Sequence, residues 1–145
     1  MSVAKLLKRV QLFTTLNASE LEQIAAICEE KQAEPDELLI QQNTTGTGMY
    51  IIADGAAEVF IEGMDNARSL VVLGKGQVIG EMALIDQGYR SASVRATKKG
   101  ATLYRIANEN FNNLCHQNNH IGFVVMRNLA IDLAFKLRHR NLTEL

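Results

Sequence analysis

One stretch of this 145-residue chain combines the residue types that phosphate chemistry needs: Val78-Ile79-Gly80-Glu81-Met82-Ala83-Leu84-Ile85-Asp86-Gln87-Gly88-Tyr89-Arg90-Ser91-Ala92-Ser93-Val94. A glycine closes a strand at Gly80, and a very short apolar helical turn begins at Glu81. The N–H groups heading such a turn have no partner within it and present its positive end to an anion, above all a phosphate. Arg90 opens the next strand, where the intervening loop can bring its guanidinium back over the same spot. A guanidinium beside free amides makes a strong phosphate cradle. Glu81 would repel phosphate, so within such a site it faces a hydroxyl, such as that of a ribose. An acid for a hydroxyl beside a base for a phosphate describes a nucleotide. The plainer reading is a surface ion pair between Glu81 and Arg90 that closes a loop, a common and weak arrangement.

The distribution of glycine shows which elements must position these residues. Residues 1–45 contain none, nine of the ten lie between Gly46 and Gly100, and only Gly122 lies beyond. Glycine-punctuated turns between short apolar runs predict strands, and glycine-poor flanks predict helices. Strands are expected at 36–42, 48–53, 56–62, 68–73, 90–97 and 102–107. Asp54-Gly55 reads as a two-residue hairpin turn, Gly63-Met64-Asp65-Asn66 and Gly74-Lys75-Gly76 as further turns, and Lys98-Lys99-Gly100 as an exposed one. Short strands at such spacing favour a sandwich or barrel. Ser19 and Glu22 read as a capping box, followed by an apolar helix face of Leu21, Ile24, Ala25 and Cys28 that the single proline, Pro35, must end. A shorter basic helix is expected around Val3–Val10. Asn108 can cap a helix to about Gln117 with Phe111 and Leu114 inward. A longer helix follows over 120–141, carrying a stripe of Met126, Leu129, Ala130, Leu133 and Leu137 that is either core or a dimer seam.

Composition bounds the function. The chain is 47% apolar and 21% charged, with 15 basic and 16 acidic residues. Those are values of one ordinary globular domain, without the basic excess of a broad nucleic-acid surface. No apolar run is long enough for a transmembrane helix, and the N-terminus lacks the pattern of a signal peptide. Cys28 and Cys115 are too few for a disulfide framework and read as reduced, packed thiols in a cytoplasmic protein, the other readings being a reactive site or a bridge.

The segment G-E-M-A-L-(x)5-R-S-A-S, with G-x-V-I before it, resembles the phosphate-binding cassette of the cyclic nucleotide-binding domain. This family includes catabolite activator-like regulators, regulatory subunits of cyclic-nucleotide kinases, and cyclic-nucleotide-gated channels. The likeness extends to Leu12-Phe13-x-x-Leu16-x-x-Ser19-x-Leu21, to Met49-Tyr50-Ile51-Ile52-x-x-Gly55, and to Ala130-Ile131-Asp132 in what would be the last helix. It implies an α+β fold: a β-roll over residues 35–107 with the cassette at 78–94, flanked by helices over 1–34 and 108–145. It implies a ligand, cAMP or cGMP, and no further cofactor. Arg90 would take the cyclic phosphate, with amides around Gly80, Met82, Ala83 and Ala92. Glu81 would take the ribose 2′-hydroxyl, and Ser91 would add a hydroxyl. Val59, Val71 and Leu73 would wall the base. The family's polar pair on the last helix would fall near Lys136-Leu137 and is not reproduced, so the lid is expected to be apolar, from Leu133 or Leu137, helped by Arg127 or Arg138.

Other constellations are weaker. His116 and His120 lie four apart beside Cys115, but no third zinc ligand of suitable spacing is evident. Lys136, Arg138, His139 and Arg140 make a basic tail, either a solvated face or a docking surface. No nucleophile–base set stands out, so a sensor is expected rather than an enzyme, with a homodimer through the last helix or a separate output domain as partners. A DNA-binding unit would need several tens of residues after about Asn141. The rival readings are a ligand-free interaction module of the same fold and a small-molecule enzyme on a β-roll.

Overall fold

Two glycines face each other across the sheet and set its shape. In the computed structural model, which describes residues 2–144 apart from Met64, Asp65 and Gln87 and gives the backbone alone for 140–144, Gly55 and Gly100 both adopt positive φ, 76° and 74°. A Cβ on Gly55 would stand 2.4 Å from the carbonyl oxygen of Gly100. Only glycine tolerates both the backbone angle and that approach. These two glycines therefore mark bulges, not turns, whereas the turn expected at Gly74-Lys75-Gly76 forms, with Gln77 N donating to Gly74 O at 3.1 Å. The expected hairpin at Asp54-Gly55 does not form, because β3 runs unbroken from Gly48 to Glu62. Nor is Lys98-Lys99-Gly100 a turn, because β6 runs from Ser93 to Ala107. These two strands pair antiparallel from Gly48↔Ala107 to Phe60↔Ser93, with register shifts at Ile52/Asp54 and Gly55/Ala57. Such bulges bend and coil a sheet, as closing it into a roll requires.

Around this pair lie β1 (Cys28–Ala33), β2 (Leu38–Ile40), β4 (Ala67–Leu73) and β5 (Val78–Ile79). The order is β1-β6-β3-β4, with β2 on β6 and β5 on β3, all antiparallel. The expected β-roll flanked by helices is present. Its first strand, however, lies inside the segment expected to be helical: Cys28–Ala33 is strand, so the roll begins before residue 35. The turn expected at Gly63–Asn66 has its centre, Met64 and Asp65, outside the described residues, while Gly63 N donates to Asn66 O at 3.3 Å.

The helices are α1 (Val3–Lys8), α2 (Ala18–Ala25), α3 (Asn108–Gln117) and α4 (Asn119–Glu144). The α2 capping box is formed two residues earlier than expected. Asn17 Oδ1 accepts from Glu20 N at 2.8 Å, and Glu20 Oε1 accepts from Asn17 N at 3.0 Å, leaving Ser19 and Glu22 exposed on the helix. Asparagine caps as well as serine, and this start turns Leu21 and Ile24 inward. Likewise Ala107, not Asn108, caps α3, and Asn108 N donates to Thr47 O.

Two apolar clusters result. One joins the helices to the near end of the roll through Leu7, Phe13, Ile24, Met49, Ile51, Ile106, Phe111, Ile121 and Val125. The other fills the roll with Ile40, Ile52, Ala57, Ile79, Val94 and Leu103. Each large side chain so buried contributes roughly 1.5–3 kcal/mol. On α4, the buried residues are Ile121, Val124, Val125 and Leu129. Of the expected stripe, Leu129 is core, Met126 and Leu133 are partly buried against it, Ala130 is exposed and Leu137 is 60% exposed.

Candidate functional site

Gly80 has φ 75° and leads directly into a short 3-10 turn, Glu81–Leu84. Ala83 and Leu84 of that turn are buried and fix it to the roll. Ala83 N is already bonded to Gly80 O at 3.1 Å, so this amide is not free for a ligand as expected. The amides of Glu81, Met82, Ser91 and Ala92 donate to no other described residue.

The loop that follows is held by the 43–46 segment. Arg90 N donates to Thr44 O at 2.7 Å, Asn43 N to Arg90 O at 2.9 Å, and Thr45 bridges to Tyr89. This clamp returns Arg90 to the turn. Its Nη1 donates to Gly80 O at 3.0 Å and its Nη2 to Gly48 O at 2.6 Å. Glycine makes room for the guanidinium: a Cβ at Gly46 would lie 2.3 Å from Arg90 Cζ, and one at Gly80 2.5 Å from Arg90 Nη1. Burial pulls the Arg90 pKa down from its ordinary value, while Tyr50 and Glu81 act in the opposite direction. No ion pair joins Glu81 to Arg90 among the described residues, so the plain loop-closing pair is not what holds them.

These groups line a cleft of about 1320 Å³, above the usual ~300–1,000 Å³ of a small-molecule site. Gly80, Glu81, Met82, Ala83, Arg90, Ser91 and Ala92 all border it, as do Val59, Val71 and Leu73. The α4 side departs from the expectation. Neither Leu133 nor Leu137 borders the cleft; Asn128, Leu129, Asp132 and Lys136 do. Leu129 excepted, the face turned to the cleft is therefore polar: Ile121, Val124 and Val125 are buried in the core, and Phe123, Ile131, Phe135 and Leu137 are exposed without bordering the cleft. Lys136 Nζ lies 2.9 Å from Asp132 Oδ2 and 3.9 Å from Glu81 Oε1. The hydrogen bond that Lys136 donates to Asp132 raises the Lys136 pKa, and the charge of Glu81 adds to it. Sequence periodicity places Asp132 and Lys136 four apart on one helix face, the signal by which they could have been found.

The remaining candidates disperse. His120 pairs with Glu20 across α2 and α4, His116 is exposed, and no group of three metal-binding side chains occurs among the described residues. Cys28 donates to Ile24 O, and burial pushes its thiol up to about 12. No described helix is long and apolar enough to cross a membrane.

The profile of the cyclic nucleotide-binding domain matches residues 30–118. The cAMP-dependent protein kinase type II regulatory subunit of Drosophila melanogaster is 34% identical over 93 residues, 64% of this chain and 25% of that protein. The curated relatives matched are much longer, this chain spanning about a quarter of their length or less. Among solved structures, the catabolite activator protein of Thermus thermophilus superimposes with a TM-score of 0.80 at 28% identity, covering 92% of this chain and 61% of that one. The regulatory domain of Toxoplasma gondii protein kinase A, crystallised with cAMP, gives 0.71 at 25% identity over 77% of this chain and 42% of that one. Both the matched profile and the bulged roll with its glycine-led turn and returning arginine place this chain in the cyclic nucleotide-binding domain family.

Proposed function

We propose that this chain is a sensor that binds cAMP or cGMP in the cleft and catalyses nothing there. Arg90 and the amides of Glu81, Met82, Ser91 and Ala92 hold the cyclic phosphate. Glu81 accepts a hydrogen bond from the ribose 2′-hydroxyl, and Ser91 adds a hydroxyl. The base lies along Val59, Val71 and Leu73, with the polar face of α4 over it. The observation that carries this reading is the half-buried Arg90 guanidinium, bonded only to two carbonyl oxygens, at the edge of a cleft where four amides have no described partner. A desolvated cation beside free donors favours an anion. The relatives named for cAMP support the choice of ligand.

Ligand occupancy is relayed through α4. Its outward side carries Phe123, Ile131 and Phe135, exposed by 66%, 52% and 58%, an apolar strip suited to a second copy of the chain or to an output segment. Calorimetric titration with cAMP, cGMP and cyclic di-GMP tests the assignment. Saturable uptake of cAMP or cGMP in the micromolar range is the expected result. Silence with all three overturns it and leaves an interaction module of the same fold.

A further inference from the structure

Arg90 also borders a second pocket, half open to solvent and of about 130 Å³, whose other polar lining includes Arg105, Tyr50 and the exposed Thr44, Thr45 and Thr47. At ~30 Å³ per water, that is room for about four waters. It is too small for a nucleotide and large enough for a tetrahedral anion. No aspartate or glutamate lines it, although two guanidiniums do. Arg105 sits on β6 opposite Tyr50 of β3, and its described side-chain bond is Nη2 to Thr47 Oγ1 at 2.9 Å. It makes no ion pair with a described residue. Thr47 therefore accepts from Arg105 and keeps its own O–H to donate, whereas Thr44 already donates to Gln41 O. Thr45 and Tyr50 add hydroxyls with no described partner. The positive charge of Arg105 works against that of Arg90, a repulsion that an anion between them relieves.

We infer that this cavity binds a free tetrahedral oxyanion, inorganic phosphate or sulfate, between the Arg90 and Arg105 guanidiniums. A second consequence rests on the nucleotide reading above. Because Arg90 cannot serve both cavities fully, oxyanion and cyclic nucleotide bind with negative coupling, each weakening the other by the same factor. The cell's phosphate level then sets the threshold of the sensor.

The test begins without nucleotide. Inorganic phosphate is titrated into the full chain at constant ionic strength, with chloride as the balancing anion, and followed by calorimetry and phosphorus NMR. The expected result is one saturable site in the millimolar range, weakened about tenfold by Arg105→Gln through loss of charge-assisted bonds. Thr47→Val, at an exposed position, gives a smaller loss and serves if Arg105→Gln does not fold. Absence of saturable uptake into the tens of millimolar overturns the site. So does uptake that Arg105→Gln and Thr47→Val leave unchanged, since that reports the cleft. In the second arm, cAMP or cGMP is titrated in phosphate and in chloride. Wild type is expected to bind more weakly in phosphate, and Arg105→Gln equally in both. Equal wild-type affinities overturn the coupling. A chain that takes phosphate through Arg105 but no nucleotide sinks the sensor reading and leaves the oxyanion site standing.

Discussion

At the cassette end of the cleft, two glycines, two carbonyl bonds and a loop clamp hold one arginine in place. At the α4 end, the helix is anchored at its root, and its described residues beyond Leu129 are exposed or only partly buried. His120 pairs with buried Glu20, and Asn128 Nδ2 donates to Leu12 O at 3.0 Å and Thr14 O at 2.9 Å. Past Leu129 no residue of α4 is fully buried among the described side chains, and Lys136 makes a 3.9 Å contact with Glu81. The difference supports the proposal that the cassette end recognises the ligand and the helical end moves. A ligand shifts such a helix only by contacting its two positions unequally.

The sharpest way to break this contrast is at Arg90. Arg90→Ala is expected to weaken cyclic-nucleotide binding by roughly 2–5 kcal/mol, with the fold intact by circular dichroism. Binding within about threefold of wild type would remove the cassette from the account. Asn128→Ala strikes the other end. Losing the amide that satisfies two carbonyls should destabilise the chain by about 1–3 kcal/mol and speed amide exchange in α4 more than in the roll. Uniform exchange would mean that Asn128 is not a pin. Next comes Glu81→Gln, expected to lower affinity by roughly 1–2 kcal/mol for cyclic nucleotides but not for their 2′-deoxy analogues. An equal loss with both would give Glu81 a structural role.

The root of α4 has a pH signature. The hydrogen bond that Glu20 accepts from His120 holds its carboxyl below its ordinary 4.5, aided by the Asn17 amide. A carboxylate with a depressed folded pKa stabilises above its unfolded value, and that contribution is lost as pH falls through the folded one. Wild type should therefore lose stability below about pH 4.5 more steeply than Glu20→Gln, by roughly 1 kcal/mol, in denaturant titrations at stepped pH. Parallel curves would show the pair to be idle. The smallest effect belongs to Lys136→Ala. Its exposed pairs should contribute under about 1 kcal/mol, and a larger loss in urea unfolding would mean that the tip is held as firmly as the root.

The cassette was legible because its parts are consecutive. Gly80, Glu81 and Arg90 share one loop, and local chemistry sufficed to group them. The roll was legible from where glycine clusters, but the use of individual glycines was not. Asp54-Gly55 announces a positive φ, and only the partner strand decides between a turn and a bulge. Cys28–Ala33 escaped because a mostly exposed strand, Cys-Glu-Glu-Lys-Gln-Ala, shows no apolar alternation, and the helical period of Leu21 and Ile24 runs into it. The α4 face was misjudged for a related reason. A stripe tells which residues share a side of the helix, not which neighbour that side meets. The claim of the core on Leu129 and Leu133 left Asp132 and Lys136 over the cleft.

The facing bulges at Gly55 and Gly100 also govern how the molecule comes apart. They let β3 and β6 turn a corner without ending, so the roll cluster draws Ile52 and Leu103 from one side of the bulges and Ala57, Val94 and Ala96 from the other, while Met49, Ile51 and Ile106 on the opposite strand faces join the helices. Had either strand broken there, the roll cluster would be divided between two hairpins. With continuous strands the clusters share a ladder, and unfolding one strips the other of its partner. The roll and the root of the helices are therefore expected to unfold as one cooperative unit.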